Sequence, residues 1–190
     1  MMNRKLRPYL KSTVFLFLFI LLVFFSLSPV YAQRAPIDVN LIIDSSSSLS
    51  NVKNDITTWV NARIDQILFD GDRVTVWSAG QQSRIIYTGK MDTPADKEAV
   101  KKSIRDITPA GSNPDFSGAL RDASSKQSGS FAYTLLISAS PQALSTVLSG
   151  PQASLLRFSR IEEFSNWRAL VVGLNLDSRV KRSAASFFTQ

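Results

Sequence analysis

From Ile37 to Ile43 the chain reads IDVNLII, β-branched and nearly continuous in its apolar character over the second half. That is the pattern of a strand buried on both faces. The period then changes. Val52, Ile56, Trp59, Val60, Ile64, Ile67 and Leu68 recur at helical spacing, and Ser48 or Ser50 is placed to cap that helix. FDGD (69–72) reads as a turn. RVTVWSAG (73–80) and SRIIYTGK (83–90) read as two strands joined at Gln81-Gln82. A helix over 92–107 follows, with Thr93 as cap, Pro94 in its first turn, and Val100, Ile104 and Ile107 along one face. TPAGSNPDFSG (108–118) is a loop of turn residues leading into a short helix at 119–125. FAYTLLIS (131–138) is another strand of the buried type. One or two helices, broken near Gly150-Pro151, occupy 141–164. RALVVGLN (168–175) is a further strand, and a helix over 177–188 closes the chain.

Alternation of strand and helix, with three strands apolar on both faces, predicts an α/β fold. It is an open, doubly wound, mostly parallel sheet with helices on both faces. The adjacent strands at 73–80 and 83–90 make an antiparallel hairpin at one edge. There is no internal repeat and no long linker; the only low-complexity piece is the serine run at 45–48.

The first 32 residues stand outside this pattern. Arg4, Lys5, Arg7 and Lys11 precede an unbroken apolar run from Val14 to Phe25, and Val30 and Ala32 follow at cleavage-site spacing. Residues 1–32 therefore read as a secretory signal peptide and 33–190 as one domain. The alternative is an uncleaved anchor, but the apolar run is shorter than the roughly 20 residues a spanning helix needs. With no cysteine after the run, a lipoprotein is excluded. The basic-then-apolar layout points to bacterial export, to the periplasm or cell surface.

Charge changes once the leader is set aside. The chain carries 22 basic and 15 acidic residues, +7 in all; without the four basic residues of the leader it is +3. Scattered over the domain, that charge is no nucleic-acid footprint. Lys101-Lys102 and Lys181-Arg182 read as surface charge, and Glu162-Glu163 diverge around a helix instead of forming an acid–base pair. Trp59 and Trp77 read as core or half-core. The chain has no histidine and no cysteine, which removes Ser-His-Asp, Cys-His and thiolate-metal chemistry. No glycine loop of the phosphate-cradling kind is present.

The candidate chemistry sits where the first strand ends, in DSSSS. In sheets of this kind ligands bind beyond the carboxyl ends of the strands. Asp44, Ser46 and Ser48 offer one carboxylate and two hydroxyls at alternate positions, oxygen ligands suited to a hard divalent cation. The same serines also suit a plain helix-capping turn, and Asp115 suits a cap of the helix that follows it.

LIIDSSSSLS, with Asp-x-Ser-x-Ser at Asp44, Ser46 and Ser48, resembles the first motif of the von Willebrand factor A (VWA) domain family. FDGDRVTVWSAG, AGSNPDFSGALRDA, YTLLISAS and RALVVGLN resemble, in order, that family's later segments, so the resemblance covers nearly all of 35–190. It implies a metal ion-dependent adhesion site built from the Asp, both serines, a threonine of the second loop and an aspartate of the third. The threonine position falls on Pro114, with Ser112 and Asp115 nearest to it, and the acid position on Ala139 between Ser138 and Ser140. The metal candidates are thus Asp44, Ser46, Ser48, Ser112 and Asp115, for a Mg2+ held weakly or only when a partner supplies an acid.

The resemblance implies an exported protein-binding module, for adhesion or complex assembly, meeting a protein partner through the loops at the carboxyl ends of the strands. The alternatives are a metal-assisted hydrolase using the same cluster and a metal-independent structural domain. Against the hydrolase stand the missing histidine and the missing carboxylate pair.

Overall fold

The computed structural model describes residues 34–127, 131–156 and 167–173. The chain divides into two compact units, Met1–Ala35 and Pro36–Gln190. The predicted signal peptide and the predicted closing helix lie outside the described residues. Among the described residues, no helix is long and apolar enough to cross a membrane.

The second unit is built on one sheet. Strands β1 (Asp38–Asp44), β2 (Arg73–Ala79), β3 (Ser83–Lys90), β4 (Ala132–Ser138) and β5 (Trp167–Gly173) lie in the order β3-β2-β1-β4-β5. β1 pairs parallel with β2 and with β4, and β4 pairs parallel with β5. Only β3 runs antiparallel, against β2 at the edge, with a register shift at Val76/Trp77. The predicted α/β class, parallel centre and edge hairpin are all present. All seven residues of β1 are buried, as its apolar run requires at the centre of a sheet.

Helices α1 (Lys53–Ile67) and α2 (Pro94–Arg105) cover one face, and α3 (Phe116–Ser125) and α4 (Pro141–Ser149) the other. Ile56, Val60 and Ile64 of α1 and Val100 and Ile104 of α2 meet Val39, Leu41, Ile43, Val74 and Val76. On the opposite face Phe116, Ala119, Leu120 and Ala123 of α3 and Leu144 and Val147 of α4 meet Ile42, Trp77 and Leu136. Alternate residues of one strand thus feed two separate cores. Trp77 is buried as expected, while Trp59 packs partly buried at the margin of the first core, with Arg63 over its ring.

Two expectations need correction. Ser48 and Ser50 do not cap α1: the helix starts at Lys53 after Val52, with no side-chain cap. Residues Ser47–Leu49 form a 3-10 turn instead, in which the Ser46 and Ser48 hydroxyls meet each other while the Ser46 N–H and the Ser48 hydroxyl turn back to Asp44. The short helix α3 begins at Phe116, earlier than expected. Asp115 caps it through a bond from the Gly118 N–H, which recruits the three residues before Ala119 into the first turn.

Candidate functional site

The register brings the carboxyl ends of three strands level. Asp44 is opposite Ala79 of β2, and Ile43 is opposite Ile137 of β4, so Ser138 stands beside Asp44. Asp44, Ser46 and Ser138 are each 0% exposed.

Three donors converge on the Asp44 carboxylate. The Ser46 N–H donates to Oδ1 at 2.8 Å. The Ser138 hydroxyl donates to Oδ2 at 2.7 Å, and the Ser48 hydroxyl reaches the same oxygen at 3.3 Å. The Ser46 and Ser48 hydroxyls lie 2.7 Å apart. Burial of a lone carboxylate is costly, and these bonds are what offset it. Ser138 is held in turn, since its Oγ accepts the Ser140 N–H at 3.0 Å.

The second loop docks on the first through backbone. The Ser47 N–H donates to the Gly111 carbonyl at 2.8 Å, and the Ala110 N–H to the Ser45 carbonyl at 2.8 Å. Gly111 has φ +76, a left-handed turn open to glycine, and that turn aims its carbonyl at Ser47. The Ser45 side chain accepts from the Ser78 hydroxyl of β2 at 2.8 Å.

Asp44, Ser46 and Ser48, named from the sequence, therefore come together. The other two candidates stand apart from them. Asp115 directs Oδ1 to the Gly118 N–H at 2.8 Å and Oδ2 to the Ser83 N–H at 3.3 Å, bracing α3 against the start of β3. Gly118 makes this cap accessible, because a Cβ there would fall 2.1 Å from Asp115 Oδ2. Ser112 is exposed and makes no hydrogen bond among the described residues. Sequence reasoning did not assign Ser138 to the site. Its signal was present: a hydroxyl closing an apolar strand, at the same edge of the sheet as Asp44.

Octahedral Mg2+ with ligands at about 2.0–2.1 Å sets neighbouring oxygens roughly 2.9 Å apart. Ser46–Ser48 at 2.7 Å and Ser48–Asp44 at 3.3 Å bracket that spacing. These separations are equally those of ordinary hydrogen bonds between the same groups. The cluster supplies a single carboxylate, and among the described residues no group of three His, Cys, Asp or Glu side chains is placed to hold a metal ion.

No protein-family model matches the chain, and no curated protein matches it. Solved structures do share its fold. A von Willebrand factor type A protein from Catenulispora acidiphila matches over 82% of this chain and 37% of its own, with TM-score 0.53 and 15% identity. Proximal thread matrix protein 1 from the mussel byssus matches over 74% of this chain and 38% of its own, with TM-score 0.56 and 17% identity. This chain spans well under half of each of these proteins. The fold is that of VWA-type domains.

Proposed function

We propose that the chain is an exported protein-binding module whose contact surface is the pair of docked loops at the carboxyl ends of β1 and β2. The observation that carries this reading is the Asp44 cluster. A buried carboxylate and two serine hydroxyls are gathered where two loops meet, on a sheet whose other faces are sealed by helices. Asp44, Ser46 and Ser48 would hold a Mg2+ there, and an acidic side chain of the partner would supply the missing charge. Bound Mg2+ contributes a positive centre that attracts that acid. The chain's own residues orient the site: Ser138 and the Ser46 N–H fix the Asp44 carboxylate, and Gly111 fixes the loop beside it.

A second reading has its own support. The Asp44 carboxylate already accepts from three protein donors, so its hydrogen-bonding capacity is met with no cation. In that case the same loops bind a partner without metal. We read either form as binding and not hydrolysis, because the chain has no histidine and the cluster has a single acid to serve as both ligand and base.

Calorimetric titration of the full chain with Mg2+ and Mn2+ separates the two. With one charged ligand, the metal-assisted form gives a dissociation constant of about 10⁻⁴–10⁻³ M or weaker, tightened by added acetate as a stand-in for the partner's acid. Low-micromolar Mg2+ binding without added carboxylate would contradict the one-acid account. No heat at millimolar metal would favour the metal-independent surface.

A further inference from the structure

A cavity of about 330 Å³ opens between β3 and the end of α2. Arg84 and Lys102 line it with positive charge, Ser78 and Ser103 with hydroxyls, and Ile86 and Ile107 with apolar surface. Asp106 is its one acid and accepts a hydrogen bond from Lys102. That bond, and then the charges of Lys102, Arg105 and Lys53, hold the Asp106 carboxyl below its ordinary range. Among the described residues, two basic side chains, Arg84 and Lys102, thus face one carboxylate in the wall of the cavity. Arg84 has no ion pair among the described residues, so its guanidinium fork is open to a ligand. Ser78 in its wall donates a hydrogen bond to Ser45, next to Asp44.

The strand bearing Arg84 is an edge. Among the described residues β3 pairs with β2 alone, and its register places Arg84 opposite Ser78. Its outer backbone donors and acceptors are a template for another extended segment. Side chains of such a segment alternate in direction, so every second one turns to the cavity side.

We propose that this cavity is a carboxylate subsite, in which Arg84 receives an aspartate or glutamate of an extended acidic segment of the protein partner laid along β3. The inference rests on the protein-binding reading above and names the chemistry of the partner. Charge complementarity selects the occupant: the surplus of positive charge favours an acidic segment, and the planar fork of arginine favours a carboxylate held by two parallel hydrogen bonds. Lys102 adds a second, less directional charge once the ligand competes with Asp106 for it.

The test uses the full chain and a short fluorescein-labelled peptide alternating glutamate with threonine. Its control replaces each glutamate by glutamine. In EDTA, anisotropy should show saturable binding of the glutamate peptide and none of the control. Arg84→Gln should weaken binding about tenfold, as loss of a charge-assisted pair does, and Arg84→Lys by less. Arg84 is exposed, so neither variant endangers the fold. Absence of binding, or equal binding by Arg84→Gln, would overturn the proposal. So would displacement of the peptide by an equal concentration of inorganic phosphate, which would make the cavity a general anion site. Binding that appears only with Mg2+ would place the acid at Asp44, overturning the cavity proposal while leaving the earlier reading intact.

Discussion

At the scale of single residues, the Asp44 cluster shows how a buried charge is tolerated. One carboxylate, 0% exposed, is matched by a backbone N–H and a hydroxyl from the turn that follows it and by a hydroxyl from β4. Of the two hydroxyl donors Ser138 is the more consequential, because it is fully buried whereas Ser48 is exposed. Ser138→Ala removes its bond to Asp44 and leaves the Ser140 N–H without its acceptor. Its expected cost is about 1–2 kcal/mol of unfolding free energy, measured by urea denaturation. If the variant matches the parent, a solvent molecule replaces the hydroxyl and the cluster is more open than its burial indicates.

At the scale of elements, capping residues do the work that propensity leaves undone. Helix α2 opens with Thr93, Pro94 and Asp96, and the Asp96 carboxylate accepts from the Thr93 hydroxyl and from the Thr93 and Asp92 N–H groups. The Thr93 hydroxyl first, then those N–H groups, hold the Asp96 carboxyl below its ordinary value of 3.8. The unfolded chain therefore takes up the proton more readily. The stabilisation is complete above the unfolded value and is lost as pH falls through the lower, folded one. Asp96→Asn should lower the urea midpoint at neutral pH, and the gap to the parent should close as acid titration proceeds below 3.8. A gap that stays constant down to strong acid would mean that the carboxylate charge is not what caps α2.

At the scale of the folded unit, the sheet divides the apolar interior in two. Ile64 belongs to the core under α1 and α2, and Leu120 to the core under α3 and α4. Each is 0% exposed. Truncation of either to alanine is expected to cost about 3 kcal/mol. Since no apolar group is shared between the two sites, the double variant should cost the sum to within about 0.5 kcal/mol. A shortfall well beyond that in urea denaturation would show that the two cores relax together through the sheet.

Much of this architecture could be read from the order of residues. Runs such as NLII and TLLI mark strands covered on both faces, and the 3.6-residue recurrence of Ile56, Val60 and Ile64 marks a helix. Those patterns follow from burial, which acts on every residue of an element and so leaves a repeated trace. Asp44, Ser46 and Ser48 were also legible, because a two-residue spacing within one turn fixes proximity locally. The partners contributed from far along the chain were not. Ser138 reaches Asp44 only because parallel pairing aligns β1 with β4; the cap of α3 by Asp115 was legible as a local signal, but its bond to Ser83 arises only because α3 begins beside the edge hairpin. The convergence of Arg84 and Lys102 on one cavity likewise depends on how α2 crosses behind β3. Local periodicity is written into composition along the chain; the meeting of single polar side chains is decided by register and packing, which no short stretch encodes.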